Sequence, residues 1–345
     1  GLLSAYFSRE FDSKLPIILT ESACASGGAA LYNATSSILS GKKMVLVVGF
    51  EKMSDSKKIE DDMMLAADVK EYDTGFTFPA LFASMMNRYI YKYCRENKNE
   101  CREAIAKVAC KNHQHALNNP YAQIRRKISV EDVLKSPLIA DPIRLLDCCP
   151  VSDGAAAVLL VEPKIAKKYT DTPIYLVGSE MATDDVSLYS RKSLVEKEAS
   201  KTAFRNLRRK CGIDLNDIQL IEAHDCFTIE EILFLEDIGF FERGKGWKDV
   251  SKSYDSFNKS KHIPYFSSLL NKEIIINAGG GLKADGHPLG ATGLRQIYEG
   301  FIQLRGEGGR NQVDLDKDLN LCLTYNLGGT GGISTLHLLK RDLYE

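Results

Sequence analysis

The hydrophobic pattern of the chain consists of short, continuously apolar runs separated by longer stretches with helical periodicity. Buried strands of parallel sheets read as such uninterrupted runs, because both of their faces are covered. The runs predicted to be strands are MVLVVGF (44–50), AAAVLLV (155–161), PIYLVG (173–178), IQLIEA (218–223), EIIINA (273–278), LNLCLTY (319–325) and ISTLHLL (333–339). The helices predicted among them are Gly27–Leu39, Ala203–Lys210, Ile229–Asp237 and Gly290–Arg305. This alternation predicts an α/β fold with helices on both faces of its sheets.

Two polar segments interrupt this pattern. Residues 54–138 are charged, helical and rich in Met, Tyr, Asn and Lys, which predicts an inserted domain lying over the α/β scaffold. Residues 242–264 are predicted to form a surface loop before the strand at 273–278. A further short apolar run, LPIILT (15–20), is predicted to be a strand that leads into ESACASGG.

A weak internal repeat relates the two ends of the chain. The helix after ACASGGA leads to the strands at 44–50 and, beyond the insertion, 155–161, while the helix after GHPLGATG leads to those at 319–325 and 333–339. The repeat predicts that Cys24 and His287 occupy equivalent positions. The second half has two earlier strands without counterparts, which predicts that an N-terminal βαβ portion is absent from the chain.

Composition narrows the classes of function. The chain has 345 residues, 44% of them apolar, and a formal net charge of −1, so nothing in its charge favours nucleic-acid binding. Its apolar runs are too short to span a bilayer. Nine cysteines occur without a Cys-x-x-Cys pair, which disfavours a zinc ribbon and predicts reduced thiols in the cytoplasm.

Three loops carry residues suited to nucleophilic and acid–base chemistry. Cys24 lies before a helix, where the dipole and free backbone N–H groups favour the thiolate, although a buried inert cysteine is the commoner case. His224 and Cys226 follow the strand at 218–223, and polar residues at such strand ends form sites in α/β folds; a satisfied core His and a packed Cys are as probable. His287 lies in GGGLKADGHPLGATG, which lacks the phosphate-loop pattern but suits a general base.

Other motifs are ambiguous when taken alone. TYNLGGTGG is typical of a hairpin, although its backbone N–H groups could face an oxyanion. His113 and His115 have no nearby Cys or acidic ligand, so they are weak evidence for a metal site. Lys283 is interpreted as a solvated or coenzyme-A-facing lysine rather than a Schiff-base lysine, and Cys148 and Cys149 are predicted to pack in the core.

Taken together, these loops resemble those of the thiolases, most closely the sterol-carrier-protein-2 type and archaeal and bacterial acetyl-CoA acetyltransferases. The resemblance rests above all on HDCF and GHPLGATG, and also on ESACASGG, LLDCCPVSDGAAAV and NLGGTGG. It implies two similar βαβαβ halves in five α-β-α-β-α layers with an inserted loop domain. The implied ranges are 1–53 with 139–165 for the N-terminal half, 54–138 for the loop domain and 166–345 for the C-terminal half.

The resemblance also implies a role for each site residue. Cys24 would be the nucleophile, His287 its base and Cys226 the acid–base cysteine that acts on the α-carbon of acetyl-CoA. His224 and His287 would form one oxyanion hole, and the backbone N–H groups of Cys24 and Gly328 a second. The residues implied to bind substrate or coenzyme A are His113, Lys283, Asn326 and Gly329. No metal and no cofactor are implied, since coenzyme A thioesters are the substrates.

Departures from the family pattern leave some points open. Classical thiolases carry their second cysteine in the last glycine loop, where this chain has Asn326. Tyr325 replaces a histidine of many relatives and either tunes substrate access or does nothing. Cys322 lies within a strand and is not the second cysteine.

The expected activity is an acetyl-CoA C-acyltransferase reaction on short 3-ketoacyl-CoA such as acetoacetyl-CoA. The alternatives are a retro-aldolase acting on coenzyme A thioesters and a non-catalytic coenzyme A- or lipid-binding scaffold. The resemblance further implies a homodimer or dimer of dimers, with an OB-fold, zinc-ribbon protein and a hydroxymethylglutaryl-CoA synthase as possible partners.

Overall fold

The fold is described from a computed structural model, which describes residues 3–10, 14–314 and 319–342. Its α-helices are α1 (Leu3–Glu10), α2 (Ser26–Leu39), α3 (Ile59–Met64), α4 (Val69–Asp73), α5 (Phe78–Tyr93), α6 (Lys98–His115), α7 (Val130–Lys135), α8 (Pro163–Ala166), α9 (Glu198–Cys211), α10 (Thr228–Asp237), α11 (Gly246–Phe257), α12 (Gly281–Asp285) and α13 (Thr292–Leu304). Its strands are β1 (Met44–Lys52), β2 (Leu138–Ala140), β3 (Ile143–Arg144), β4 (Asp153–Val161), β5 (Tyr175–Thr183), β6 (Leu220–Glu222), β7 (Pro264–Ser267), β8 (Lys272–Ile276), β9 (Leu321–Gly328) and β10 (Ile333–Lys340).

The C-terminal part is built on a mixed six-stranded sheet in the order β5-β10-β9-β6-β8-β7. Strand β6 runs parallel to β8 and β9, whereas β10 is antiparallel to β5 and β9. Every residue of β9 is buried, as its uninterrupted apolar sequence predicts. Alternate residues of β9 enter different clusters, since Leu323 joins the largest core cluster and Cys322 packs with Leu294 of α13. The core therefore lies on both faces of this sheet.

The N-terminal part contains the antiparallel pair β1 and β4, which is paired from Met44↔Val161 to Lys52↔Asp153. Helix α2 packs on this pair and on α13. Val47 points into the core, while the opposite face of β1 exposes Met44, Leu46, Val48 and Phe50. The order α2-β1-β4 recurs as α13-β9-β10, in agreement with the predicted repeat of helix, strand and strand.

All seven long apolar runs and all four predicted helices overlap observed elements of the predicted type. The inserted segment is helical, and its helix α6 is buried against α10, α11 and α12. Within the described residues, no helix is both long enough and apolar enough to cross a membrane.

Three predictions about local structure are wrong. Residues 14–22 contain no strand, and Ile17, Ile18 and Leu19 are exposed. The polar segment 242–264 contains helix α11, whose buried stripe includes Trp247 and Val250. Its polar composition obscured this helical spacing. Finally, the cysteines are not all reduced, because a disulfide joins Cys94, at the end of α5, to Cys101 in the first turn of α6.

Candidate active site

Cys24 lies in a single 3-10 turn, Ala23–Ala25, immediately before α2. Ala23 adopts a φ of 50°, a left-handed conformation that a non-glycine residue seldom occupies. The Cys24 side chain is buried, and burial raises the pKa of its thiol to about 12 despite a hydrogen bond from the backbone N–H of Gly329. The prediction that the helix terminus favours a thiolate is therefore wrong for the resting protein, because desolvation outweighs the helix dipole.

Asn326, on β9, connects Cys24 to the neighbouring loops. Its side-chain amide donates to the backbone carbonyl of Cys24 over 2.9 Å and lies 3.1 Å from Nδ1 of His224. Its Oδ1 accepts the backbone N–H of Gly28 over 3.2 Å. The asparagine that stands where classical thiolases have a cysteine thus fixes the turn bearing Cys24.

His224 lies just beyond the end of β6 and is buried. Its Nδ1 accepts the backbone N–H of Leu327 over 3.3 Å, in addition to the Asn326 amide. Because both partners are donors, the ring proton lies on Nε2. Burial and the nearby His287 lower the pKa of His224 well below its usual value, so this ring is a neutral hydrogen-bond donor.

His287 has the opposite tautomer. The hydroxyl of Thr292 donates to the carbonyl of Pro288 over 3.0 Å, so its oxygen accepts Nδ1–H of His287 over 2.7 Å. Nε2 therefore carries the lone pair, and it has no hydrogen-bond partner among the described residues. Burial lowers the pKa of His287 to about 3, which keeps the ring neutral. The rings of His224 and His287 are perpendicular, with centroids 4.9 Å apart.

Asp225 connects the His224 turn to the loop that carries His287. Its carboxylate accepts the backbone N–H groups of Leu282 over 2.6 Å and Lys283 over 3.2 Å, at the start of the short helix α12. A Cβ on Gly281 would lie 2.4 Å from this carboxylate, and Gly281 has a φ of 61°. Glycine is required there by both space and conformation.

Cys226 follows Asp225 in the chain and is also buried. Burial raises the pKa of its thiol well above the usual value, and the nearby thiols of Cys149 and Cys24 act in the same direction. The backbone N–H of Cys149 donates to the carbonyl of Cys226 over 2.9 Å. The structure thus brings Cys24, Cys226, His224 and His287 into one buried region.

The predicted coenzyme A ligands have different surroundings. Lys283 is 2% exposed, so its interpretation as a solvated lysine is wrong; burial lowers its pKa, and the thiols of Cys148 and Cys149 are nearby. His113 is also buried, with Nδ1 2.9 Å from the carbonyl oxygen of Arg126. Cys148 and Cys149 are half-buried against the main core cluster.

The glycines of the predicted oxyanion loop form the β9–β10 hairpin, as their sequence indicates. A Cβ on Gly328 would lie 2.6 Å from the carbonyl oxygen of Ser22, so this loop closely approaches the Cys24 turn. Gly329 has a φ of 62°. Tyr325 is a core residue: its ring stacks on Phe234 at 3.7 Å and its hydroxyl bonds to Ser200.

A cavity of 890 Å³ opens between β4 and α13 and is lined in part by Ser152, Asp285 and Pro288. Among the described residues that line it, none is a predicted catalytic side chain, although Pro288 follows His287. No group of three metal-ligating side chains that could hold an ion occurs in the described ranges.

Sequence comparison decides the family. The profile of the thiolase N-terminal domain matches residues 4–164, and that of the thiolase C-terminal domain-like family matches residues 181–341. The chain belongs to the thiolase family. The first match covers the N-terminal half, so the predicted absence of a βαβ portion is not confirmed.

Two relatives and one solved structure are similar to this thiolase over most of its length. It is 40% identical to the acetyl-CoA acetyltransferase of Methanothermobacter thermautotrophicus over 95% of this chain and 80% of the relative. It is 35% identical to sterol carrier protein 2 of Oryctolagus cuniculus over 96% of this chain and 59% of the relative. The Ltp2-ChsH2(DUF35) aldolase superposes with a TM-score of 0.75 at 21% identity, covering 93% of this chain and 79% of that one.

The thiolase assignment and the acetyltransferase relative confirm two predictions, the resemblance itself and an enzyme of the acyltransferase class. Sequence reasoning missed Thr292, Asp225 and Cys149 as neighbours of the candidate catalytic groups. Thr292 lies within GHPLGATG and Asp225 within HDCF, so the motifs contained the signal. No motif indicated Cys149, because its position opposite Cys226 depends on the fold.

Proposed function

We propose that this thiolase makes and cleaves short 3-ketoacyl-CoA thioesters, such as acetoacetyl-CoA, through an acyl group carried on Cys24. The observation that carries the proposal is the pair of opposite histidine tautomers beside two buried thiols. His287 has a free lone pair on Nε2 for accepting a proton, and His224 has an Nε2–H for donating to an oxyanion.

In the first half-reaction, Nε2 of His287 takes the proton of Cys24 as its sulfur attacks the thioester carbonyl. The Cys24–S–acyl bond forms and the acyl–S-CoA bond breaks, while the Cys226 thiol donates its proton to the departing CoA thiolate. His224 and the backbone N–H groups of Cys24 and Gly328 would stabilise the tetrahedral oxyanion. No direct Cys24–His287 hydrogen bond occurs between these described residues, and such contacts commonly tighten when substrate binds.

In the second half-reaction, the Cys226 thiolate removes an α-proton from acetyl-CoA. The enolate attacks the acyl carbonyl on Cys24, the Cys24–S bond breaks, and His287 returns its proton to Cys24. Burial supports this role, because a thiol whose pKa is raised is a poor resting nucleophile but a stronger base once it is deprotonated. The α-proton of a thioester is weakly acidic and requires such a base.

Acetoacetyl-CoA thiolysis by the wild type and by Cys24→Ala and Cys226→Ala tests the proposal. We expect no acyl-enzyme from Cys24→Ala, and acyl-enzyme without exchange of α-protons for deuterium from Cys226→Ala. Cys211→Ser changes a half-buried thiol on α9 and serves as the control with unchanged turnover. A folded wild type that neither acylates Cys24 nor cleaves acetoacetyl-CoA would favour the scaffold alternative.

The retro-aldolase alternative makes a different product. Release of an aldehyde or ketone from a 3-hydroxyacyl-CoA by the wild type, retained in Cys24→Ala, would favour it. The likeness to the aldolase structure concerns the fold alone at 21% identity. The two buried thiols near the histidines favour the thiolase reaction.

The expected assembly and ligands are part of the same proposal. Coenzyme A thioesters would contact His113, Lys283, Asn326 and Gly329, and a homodimer or dimer of dimers would form. Light scattering on the purified protein tests the oligomer. Co-purification with an OB-fold, zinc-ribbon protein or a hydroxymethylglutaryl-CoA synthase tests the expected partners.

A further inference from the structure

A third thiol faces the active site. Cys148 and Phe227 form an isolated antiparallel bridge, and the N–H of Cys149 donates to the carbonyl of Cys226. This register places Cys149 directly opposite Cys226. Side chains alternate between the faces of such a ribbon, so Cys149 and Cys226 share one face while Cys148 and Phe227 share the other.

The distance between the paired residues suits a covalent bond. Directly opposite residues of an antiparallel pair have Cα atoms about 4.5–5.5 Å apart. Disulfides span Cα separations of about 4.4–6.8 Å. The register of Cys149 and Cys226 therefore places them within the range of Cα separations that a disulfide spans.

The surroundings distinguish the two thiols chemically. Cys149 is half-buried, whereas Cys226 is 5% exposed. Burial raises the pKa of the Cys149 thiol, and the nearby Lys283 ammonium opposes this shift in part. The groups that favour the charged form of Lys283 are the thiols of Cys149 and Cys148, followed by the carboxylates of Asp225 and Asp147.

We propose that Cys149 and Cys226 form an oxidation site at which a hydroperoxide such as hydrogen peroxide makes a reversible disulfide. Cys149 releases its proton to solvent, its thiolate attacks one peroxide oxygen, and the O–O bond breaks. The departing hydroxide takes a proton back from solvent, so Cys149 sulfenic acid and one water form. The Cys226 thiol then attacks the sulfenic sulfur, the S–O bond breaks, and a second water leaves as the S–S bond forms. Two thiols lose two electrons in total, and one peroxide becomes two waters.

The consequence for activity rests on the proposed function. A disulfide at Cys226 removes the base for the α-proton and the proton donor to coenzyme A. It leaves Cys24 and His287 intact, and the departing coenzyme A thiolate can take its proton from water. The oxidised protein should therefore still form the acyl-enzyme, while it loses condensation and α-proton exchange. A reducing thiol restores both.

Mass spectrometry of the intact chain treated with stoichiometric hydrogen peroxide tests the disulfide independently of activity. Trypsin leaves Cys149 with Cys148 in peptide 145–164 and Cys226 with Cys211 in peptide 211–243. We expect these peptides to be linked without reductant, the link to be absent in Cys149→Ser and to persist in the matched control Cys148→Ser. Fragmentation between residues 148 and 149 assigns the link in the wild type, in case a variant fails to fold.

Several results would overturn the inference. They are a link that persists in folded Cys149→Ser, a fragment that assigns the link to Cys148, or oxidised wild type without the link. Loss of Cys24 acylation together with α-proton exchange would also contradict it. If the reduced protein never acylates Cys24, the proposed function fails, whereas the peptide link still decides the oxidation site.

Discussion

Replacing Thr292 by valine should slow acylation of Cys24 by about 5- to 150-fold. Valine has nearly the shape of threonine but no hydroxyl, so Nδ1–H of His287 loses the oxygen that it reaches over 2.7 Å. A buried donor left without a partner costs about 1–3 kcal/mol. Since about 1.4 kcal/mol corresponds to a factor of ten in rate, the range given follows.

The physical cause is a change of tautomer. In the wild type, the Thr292 oxygen favours Nδ1–H and leaves the lone pair on Nε2. In the variant, the buried ring can move its proton to Nε2, which then cannot accept the proton of Cys24. The effect therefore falls on the acylation step and not on substrate affinity.

Rapid-quench measurement of coenzyme A released on mixing with acetyl-CoA isolates this step. Thr292→Ser keeps the hydroxyl and should acylate at close to the wild-type rate. Urea unfolding of each variant separates loss of base from loss of fold. A well-folded Thr292→Val that acylates as fast as the wild type would refute the tautomer argument.

Three further predictions concern burial and conformation. Because burial raises the pKa of Cys24 to about 12, the rate of its alkylation by iodoacetamide should rise about tenfold per pH unit between roughly pH 7 and 10. Peptide mass spectrometry measures this rate, and a plateau near neutral pH would contradict the prediction. Gly281→Ala should destabilise the protein by about 1–3 kcal/mol more than Gly212→Ala in urea. The two glycines have φ of 61° and 64°, but only Gly281 faces a carboxylate at 2.4 Å, so equal losses would remove the steric argument. Burial lowers the pKa of His337 from 6.5 to about 4, so between these pH values the unfolded chain binds a proton that the folded chain does not. The free energy of unfolding should therefore fall as pH drops from 6.5 to about 4, and it should fall less steeply in His337→Gln.

Sequence patterns predicted the elements because the inner runs of the large sheet, β6, β9 and β10, are buried on both faces. The fully buried strand β9 is the clearest case. The run LPIILT looked similar, yet strand formation requires a neighbouring strand, which an apolar sequence does not itself supply. Helix α11 was not predicted because its polar residues outnumber the buried apolar residues around Trp247, which hides the helical spacing.

The site was predictable at the level of motifs but not of protonation. The motifs located Cys24, His224, Cys226 and His287, and the structure brings them together. The tautomers depend on Thr292 and on the backbone of Leu327, which contacts His224 only after β9 and β6 have paired. The sequence also suggested a thiolate at Cys24, because it shows the helix start but not the burial that opposes ionisation.

Burial gives the candidate site a common property: the proposed catalytic groups are uncharged. The pKa values of the Cys24 and Cys226 thiols are raised and those of His224 and His287 are lowered, all chiefly by desolvation. A neutral site contains little thiolate until a thioester binds and its carbonyl oxygen takes up the negative charge. This limits reaction of the nucleophile with other electrophiles. Burial raises the pKa of the Cys149 thiol as well, but the side chain is half-buried and the nearby Lys283 ammonium acts in the opposite direction. Because the Cys149 side chain is more exposed than those of Cys24 and Cys226, attack by an oxidant should begin at Cys149, and Cys226 should be captured only as its partner.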